Sequence, residues 1–203
     1  MKKMKMLYLV TVLALLSVVL FSGIAQAGAV PEGFMGVPWG ASKAQVIKAM
    51  SEQGCQQITH PQFSSPDTLV FNGSFAGASC PIIYFSFIRN SFYEGKANYC
   101  NKSPNPAWPQ VTYKNIVDML SEKYGPPTNR SSETERTNDG KEHPLLSTIW
   151  NFVDNRSSDK YFIIVSCHVG WFRDTTGDQY MVDVYYRASS LEERLKKNAK
   201  NLY

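Results

Sequence analysis

The sequence predicts an α+β fold in which helices pack against one or more antiparallel sheets. Short apolar or alternating segments follow one another across tight turns, as antiparallel strands do. Three segments with apolar residues at helical spacing precede, separate and follow these runs of strands. Because strands follow strands directly, we do not expect a parallel Rossmann-type sheet.

Residues 1–27 have the pattern of an export signal. Three lysines precede an apolar stretch over residues 7–21, and Ala25-Gln26-Ala27 supplies a small-residue cleavage site. That stretch of about 15 residues is shorter than the ~20 that a membrane span needs. We therefore expect residues 28–203 to form a single domain, periplasmic or secreted, with no stable membrane insertion after cleavage. The alternative is a leader that is retained as an anchor.

Charge offers little support for a polyanionic partner. Three of the 21 Lys and Arg residues lie in the leader, which contains none of the 17 Asp and Glu residues. The exported chain is therefore close to neutral, and the electrostatic case for binding nucleic acid or an anionic membrane is lost with the leader.

The first helix is predicted over residues 42–53. Ser42 and Gln45 fit a capping box, and Gly54 fits the stop that commonly follows a helix. Trp39, just before the cap, is expected to pack against the start of this helix. The apolar face consists of Val46, Ile47 and Met50.

Strands are predicted at 68–75, 81–88 and 92–100, the last two as a hairpin around Arg89-Asn90-Ser91. Alignment about Asn90 pairs Ile83 with Ala97, Tyr84 with Lys96, Phe85 with Gly95, Ser86 with Glu94, and Phe87 with Tyr93. This register gives one apolar and one polar face, as a half-buried sheet requires.

The four cysteines all lie beyond the leader, where an oxidising compartment favours disulfides. The hairpin register places Cys80 directly across from Cys100, which predicts one bridge. By elimination, Cys55 would pair with Cys167.

The second part of the chain repeats the pattern of the first. A proline-rich linker at 101–111 leads to a helix from Thr112 that ends at Gly125. A polar segment at 128–144 is expected to be a loop or a ragged hairpin. Strands at 145–153, 160–169 and 179–187 follow, and then a helix over residues 190–202, where Ser190 and Glu193 fit a capping box.

This order suggests a duplication with pseudo-repeats at 34–100 and 108–187, although chance similarity is the alternative. The apolar stripe of the first helix recurs 70 residues later as Ile116, Val117 and Leu120. The segment at 85–90 resembles the segment at 150–155, an offset of 65 residues.

Clusters that would mark an enzyme are missing from the sequence. The chain has no His-based metal motif, no nucleophile elbow and no phosphate-binding glycine loop, so we predict no cofactor and no enzyme activity. His60 and His143 are expected in solvated loops. A hydrolase could still assemble two carboxylates in space, with Asp183 and Glu94 as candidates, but we expect both to be solvated residues of the sheet face.

Aromatic side chains are the remaining functional signal. Trp171 and Phe172 lie in a predicted loop tip, and Met181 and Tyr185 lie on the same face of the last strand. Such residues bury large areas at low entropic cost, so we predict that these four contact a protein or envelope ligand. The alternative is that the terminal helix covers this face.

Four motifs resemble those of a group of exported bacterial proteins of unknown function. They are F-x-G-V-P-W-G-A-S-K-x-x-V from Phe34, F-x-F-x-x-N-x-x-Y-x-G from Phe85, L-x-x-K-Y-G-x-P from Leu120, and W-x-F from Trp150. The duplicated arrangement also resembles the SmpA/OmlA-type outer-membrane assembly lipoprotein and the β-lactamase-inhibitor protein. The resemblance implies a non-catalytic binder. The lipid-bearing cysteine of the lipoprotein is absent, and no inhibitory loop can be matched.

Overall fold

A computed structural model describes residues 29–59, 65–101, 108–136, 142–170 and 179–200. It confirms the α+β class, with three helices and a large antiparallel sheet. The predicted leader, His60, Trp171 and Phe172 lie outside the described residues, so the predictions about them stay open.

The elements follow the predicted order, with four additional strands. The second helix begins at Trp108, inside the segment predicted as a linker at 101–111, and not at Thr112. The strands are β1 (Gly33–Phe34), β2 (Val37–Pro38), β3 (Gln56–Gln57), β4 (Thr68–Phe75), β5 (Ala78–Ile88), β6 (Ser91–Asn101), β7 (Asn129–Arg136), β8 (Glu142–Val153), β9 (Lys160–Gly170) and β10 (Gln179–Ala188). The helices are α1 (Lys43–Glu52), α2 (Trp108–Tyr124) and α3 (Ser189–Lys200). The segment predicted as a loop or ragged hairpin at 128–144 contains β7 and the start of β8.

The start of α1 confirms the predicted capping box. The Ser42 side chain accepts a hydrogen bond from the Gln45 backbone, and the Gln45 side chain accepts one from the Ser42 backbone. Gly54 follows the helix at φ 74°, a conformation that glycine adopts without steric cost. The Trp39 ring stacks on that of Phe92, and its packing against the start of α1 stays a prediction.

Eight strands form one sheet in the order β3-β4-β5-β6-β10-β9-β8-β7, while β1 and β2 form a separate hairpin. Each half of the sheet is an antiparallel meander of four strands preceded by a helix. The halves meet where β6 pairs with β10, at Ala97 opposite Val184 and Tyr99 opposite Val182. Two local units thus share one continuous sheet.

The sheet order supports only part of the predicted repeat. Helices α1 and α2 hold the same place in their halves, and Val46 and Met50 are buried as Ile116 and Leu120 are. Ile47, predicted on the same apolar face, is instead 39% exposed, whereas its counterpart Val117 is buried. The match between 85–90 and 150–155, however, relates β5 to β8. In the sheet, β5 lies next to β6 and β9 lies next to β10, so β5 corresponds to β9 when the two halves are compared outward from the β6–β10 contact. The sequence match at an offset of 65 residues therefore does not relate equivalent strands.

The core face of the sheet lies under α1, α2 and the β1–β2 hairpin. The largest side chains buried here include Phe34, Phe71, Phe85, Phe92, Ile83, Ile163 and Trp150. Phe34 lies at the centre, with its ring centroid 5.4 Å from that of Phe85 and 5.1 Å from that of Tyr186. A side chain from the separate hairpin therefore completes the core of the sheet.

The β5–β6 hairpin confirms four of the five predicted pairs that flank its turn. Phe87 pairs with Phe92, not with Tyr93 as predicted. The turn contains two residues, Arg89 at φ 51° and Asn90 at φ 63°, and the register shifts between Ser86 and Phe87. Positive φ at both positions is what a type I′ turn requires, and the shift restores the predicted register farther along the strands.

Three further predictions are corrected. His143 is not a solvated loop residue, because it lies in β8 and is only 8% exposed. The Ser190 side chain does not cap its own helix, which begins one residue earlier, but accepts a hydrogen bond from the Lys160 backbone at 2.9 Å. Cys55 and Cys167 are buried free thiols, so the bridge predicted between them is not formed.

The Cys80–Cys100 bridge stays a prediction. The observed β5–β6 register pairs Ile82 with Asn98, and two more residues of the same register would place Cys80 opposite Cys100. The Cys80 side chain lies outside the described part of the chain.

Candidate functional site

The outer face of the sheet, which points away from α1 and α2, carries most of the polar side chains. On β10 this face consists of Met181, Asp183, Tyr185 and Arg187, which alternate with the buried core residues. Helix α3 contacts this face at the Arg187 end. The other end, from Asp183 to Met181, is called the open end below.

The Arg187 end is closed by an ion-pair network. Arg187 donates to both carboxylate oxygens of Glu192 on α3, from Nε at 2.7 Å and from Nη2 at 2.5 Å. Its Nε lies 3.6 Å from Glu94 Oε2 on β6. The Tyr185 hydroxyl donates to Glu94 and accepts from Arg187 Nη1 at 3.2 Å. These contacts bind α3 to the sheet.

The pKa values at this end are consistent with a persistent network. Burial raises the pKa of Tyr185, and its hydrogen bond to Glu94 adds to the effect. Burial opposes ionisation of Glu192, but hydrogen bonds from Arg187 and Lys196 hold the pKa of its carboxyl below the usual value. Both groups therefore keep their ordinary charge states at neutral pH.

The open end is organised around the Asp183 carboxylate, which is 8% exposed. Asn98 Nδ2 donates to Oδ1 at 2.5 Å. Lys96 Nζ lies 2.9 Å from Oδ2, and His168 Nε2 lies 3.2 Å from the same oxygen. Strands β6, β10 and β9 thus each contribute to one cluster, which is called the Asp183 cluster below.

The Asp183 carboxylate stays ionised despite its burial. Desolvation raises its pKa, but the His168 hydrogen bond and the charge and hydrogen bond of Lys96 outweigh this, and the pKa lies below its usual value. The Lys96 and His168 side chains remain 34% and 27% exposed. The Lys96 and His168 side chains therefore reach solvent, while their contacts with the buried Asp183 carboxylate fix their positions.

Two of the predicted contact residues, Met181 and Tyr185, lie at opposite ends of the outer face. Met181 is half-buried at the open end, in register with His168 on one side and Cys100 on the other. Tyr185 lies at the closed end, where its ring stacks on that of Phe162 at 5.7 Å. The structure thus places Tyr185 in the network of Glu94 and Arg187 that holds α3.

The structure does not bring the two candidate carboxylates together. In register, Asp183 lies opposite Asn98 and Glu94 lies opposite Arg187, four residues along the strand. At ~3.3 Å per residue this is a spacing of about 13 Å, wider than the ~5–9.5 Å between the two carboxyls of a glycosidase. Neither residue is a simple solvated group, because each is engaged by cationic and neutral donors.

Sequence reasoning missed Lys96, Asn98 and His168 as site residues. A signal was present, because Asp183 interrupts the apolar run M-V-D-V-Y-Y and a carboxylate in such a strand needs partners. Its partners could not be identified, because they depend on which strands flank β10 and in what register.

Within the described ranges, no group of three or more His, Cys, Asp and Glu residues could hold a metal ion. In the same ranges, no helix is long and apolar enough to cross a membrane. No family model, curated protein or solved structure matches the chain.

Proposed function

We propose that the protein is an exported, non-enzymatic binding module of the bacterial envelope. The open end of the outer face, around Met181 and the Asp183 cluster, is its docking surface for a protein or envelope ligand. The export signal and the missing catalytic motifs of the sequence support the compartment and the absence of an enzyme activity.

One observation carries the proposed surface: the buried Asp183 carboxylate fixes Lys96 and His168 while leaving both accessible. Side chains held in place before binding lose little conformational freedom when a partner docks. Met181 lies beside them and supplies a flexible apolar contact. This mixture of an apolar centre and fixed polar neighbours is typical of protein interfaces.

The alternative function, a hydrolase with carboxylates assembled by the fold, is less well supported. Asp183 and Glu94 are too far apart in register, and both already accept hydrogen bonds and ion pairs. A nucleophile or general base with these bonds would first have to lose them.

A two-stage experiment tests the proposed surface. A photo-crosslinking amino acid at position 181 identifies the partner in native envelopes by mass spectrometry, and binding of the purified partner is then measured. Met181→Asp should weaken binding by at least about tenfold, the loss typical of an interface centre. Asn151→Asp is the matched control, because Asn151 is exposed on β8 near the closed end.

Equal affinities for the wild type and Met181→Asp would refute the docking surface. Hydrolysis of the captured molecule by the wild-type protein, abolished by Asp183→Asn, would instead favour the hydrolase.

A further inference from the structure

A cavity of about 580 Å³ lies on the core side of the molecule, away from the proposed docking surface. The β1–β2 hairpin forms one wall, the C-terminal half of α2 forms another, and the turn after β4 closes a third side. This volume is within the range of ~300–1,000 Å³ in which proteins bind small ligands.

The lining of the cavity is mixed, with somewhat more apolar than polar surface. Its buried lining residues include Val37, Leu120, Tyr124 and Tyr186. Met35, Phe75 and Met119 are half-buried around them. Two methionines on opposite walls give the cavity adaptable surfaces, because the unbranched thioether side chain can adjust to the shape of a ligand.

Two exposed residues of opposite charge, Glu32 and Lys123, are the charged members of this lining. Among the described residues, neither forms an ion pair within 4 Å, and Lys123 Nζ lies 5.0 Å from the centroid of the Tyr124 ring. The cavity therefore combines an apolar interior with one carboxylate and one ammonium group available to a ligand.

Met35, on the hairpin wall of the cavity, has a backbone conformation that is unusual for its side chain. It occupies the first position of a two-residue turn at φ 52°, where a bulky residue is disfavoured and Asn or Gly is common. The turn is otherwise well held, because Gln53 Nε2 donates to the Met35 carbonyl at 2.8 Å. Arg89 adopts the same conformation outside the cavity, so the φ of Met35 marks a position where Asn would relieve the backbone and not by itself a functional residue.

We propose that this cavity binds a single-chain amphiphile with a zwitterionic head, a molecule of the lysophospholipid class. The acyl chain occupies the space between Met35, Met119 and Phe75. The phosphate of the head group faces Lys123, and its ammonium group faces Glu32. Such a ligand matches both the apolar lining and the two opposite charges.

Displacement of a fluorescent probe tests the proposal on the purified chain without its leader. N-phenyl-1-naphthylamine, an apolar dye, should bind and become fluorescent. Lysophosphatidylethanolamine below its micelle concentration should displace it more effectively than laurate or dodecyltrimethylammonium, which carry a single charge. Phosphoethanolamine alone, which has the head group without the chain, should not displace the dye.

Matched turn variants separate binding from folding. Met35→Asn removes the side chain from the wall and relieves the backbone, so the lysophospholipid should bind at least about fivefold more weakly while the melting temperature is kept or raised. Arg89→Asn is the control. Arg89 holds the same turn position in the β5–β6 hairpin and is not among the residues that line the cavity. Because Arg89→Asn also removes the hydrogen bond from Arg89 Nη2 to the Ala199 carbonyl at 3.4 Å, its melting temperature should rise less, and its binding should be unchanged.

The head-group assignment is tested by Lys123→Glu, which should abolish the preference for the zwitterionic lipid over dodecyltrimethylammonium. The proposal is overturned if the dye does not bind, if Met35→Asn and Arg89→Asn bind equally well, or if laurate displaces the dye as effectively as the lysophospholipid.

Discussion

Gly95 lies on the core side of β6, directly beneath the ring of Phe34. A Cβ atom at this position would overlap that ring, so the absence of a side chain at Gly95 makes room for Phe34. The hairpin that carries Phe34 is separate from the large sheet, and this contact is one of those that attach it. At the scale of the residue, the packing of Phe34 depends on glycine at position 95, because the methyl group of an alanine would overlap the Phe34 ring.

We expect Gly95→Ala to lower the free energy of unfolding by about 1–3 kcal/mol, the usual cost of overpacking. Urea denaturation at neutral pH measures this loss. In a Phe34→Ala background the added methyl group meets no ring, so the same substitution should cost close to nothing. Equal costs in both backgrounds would show that the two residues are not coupled.

Asp183 makes the free energy of unfolding depend on pH in the acid range. Because its pKa is lower in the folded than in the unfolded chain, its contribution is complete above the unfolded value near 3.8 and is lost as the pH falls through the folded value. Asp183→Asn should lower the free energy of unfolding by about 2 kcal/mol at pH 7, as expected for hydrogen bonds to a charged group.

Denaturation of the wild type and Asp183→Asn between pH 7 and pH 2 checks this dependence. The stability difference should shrink as the pH falls below about 4, where the Asp183 carboxylate becomes protonated. The control is Asp118→Asn, since Asp118 lies in an exposed i,i+4 pair with Lys114 that should contribute less than about 0.5 kcal/mol. A pH-independent difference for Asp183→Asn would contradict the assigned pKa shift.

At the scale of the element, α3 is held to the sheet chiefly by polar contacts. Its apolar stripe contains only Leu191, Leu195 and Ala199, whereas Arg187 forms two hydrogen bonds to Glu192 and Arg194 pairs with Asp159. A helix with so thin an apolar face depends on these anchors to remain docked, since little of its stability can come from burial.

Glu192→Gln should therefore increase local opening of α3 by about 10- to 100-fold, the equivalent of roughly 1.5–3 kcal/mol. Hydrogen exchange measured by mass spectrometry should show faster exchange in α3 and little change in β4 and β5. Glu193→Gln is the control, because Glu193 is exposed on the same helix. Unchanged exchange in Glu192→Gln would show that the network does not hold the helix.

The edge strand β7 is an element that the sequence predicted only in part. β7 has the sequence N-R-S-S-E-T-E-R, which is too polar for a buried strand and was therefore expected to be a loop or ragged hairpin. In the structure it is the outermost strand, paired on one side with β8. Charged residues are common on such edges because they discourage pairing with other chains.

At the scale of the whole molecule, the contact between β6 and β10 joins the two halves. Ala97 and Tyr99 of the first half and Val182 and Val184 of the second are buried along this contact. Because the halves share a continuous sheet and core, we expect them to unfold together.

Val184→Ala should lower the free energy of unfolding by about 2–3 kcal/mol through the cavity that it leaves. Hydrogen exchange in increasing urea should show the same loss for the most protected amides of β5 and of β9. A loss confined to β9 would contradict a single cooperative unit.

The sequence by itself determined the α+β class, the three helices and six of the strands, because helix caps, apolar periodicity and turn residues act over a few neighbouring positions. It also predicted most of the β5–β6 register, but not the two-residue turn that moved Phe87 opposite Phe92. Only the tertiary structure decided that Asp183 meets Lys96, Asn98 and His168, and that Tyr185 meets Glu94 and Arg187. Those contacts join strands distant in sequence, and local patterns do not encode which strands become neighbours.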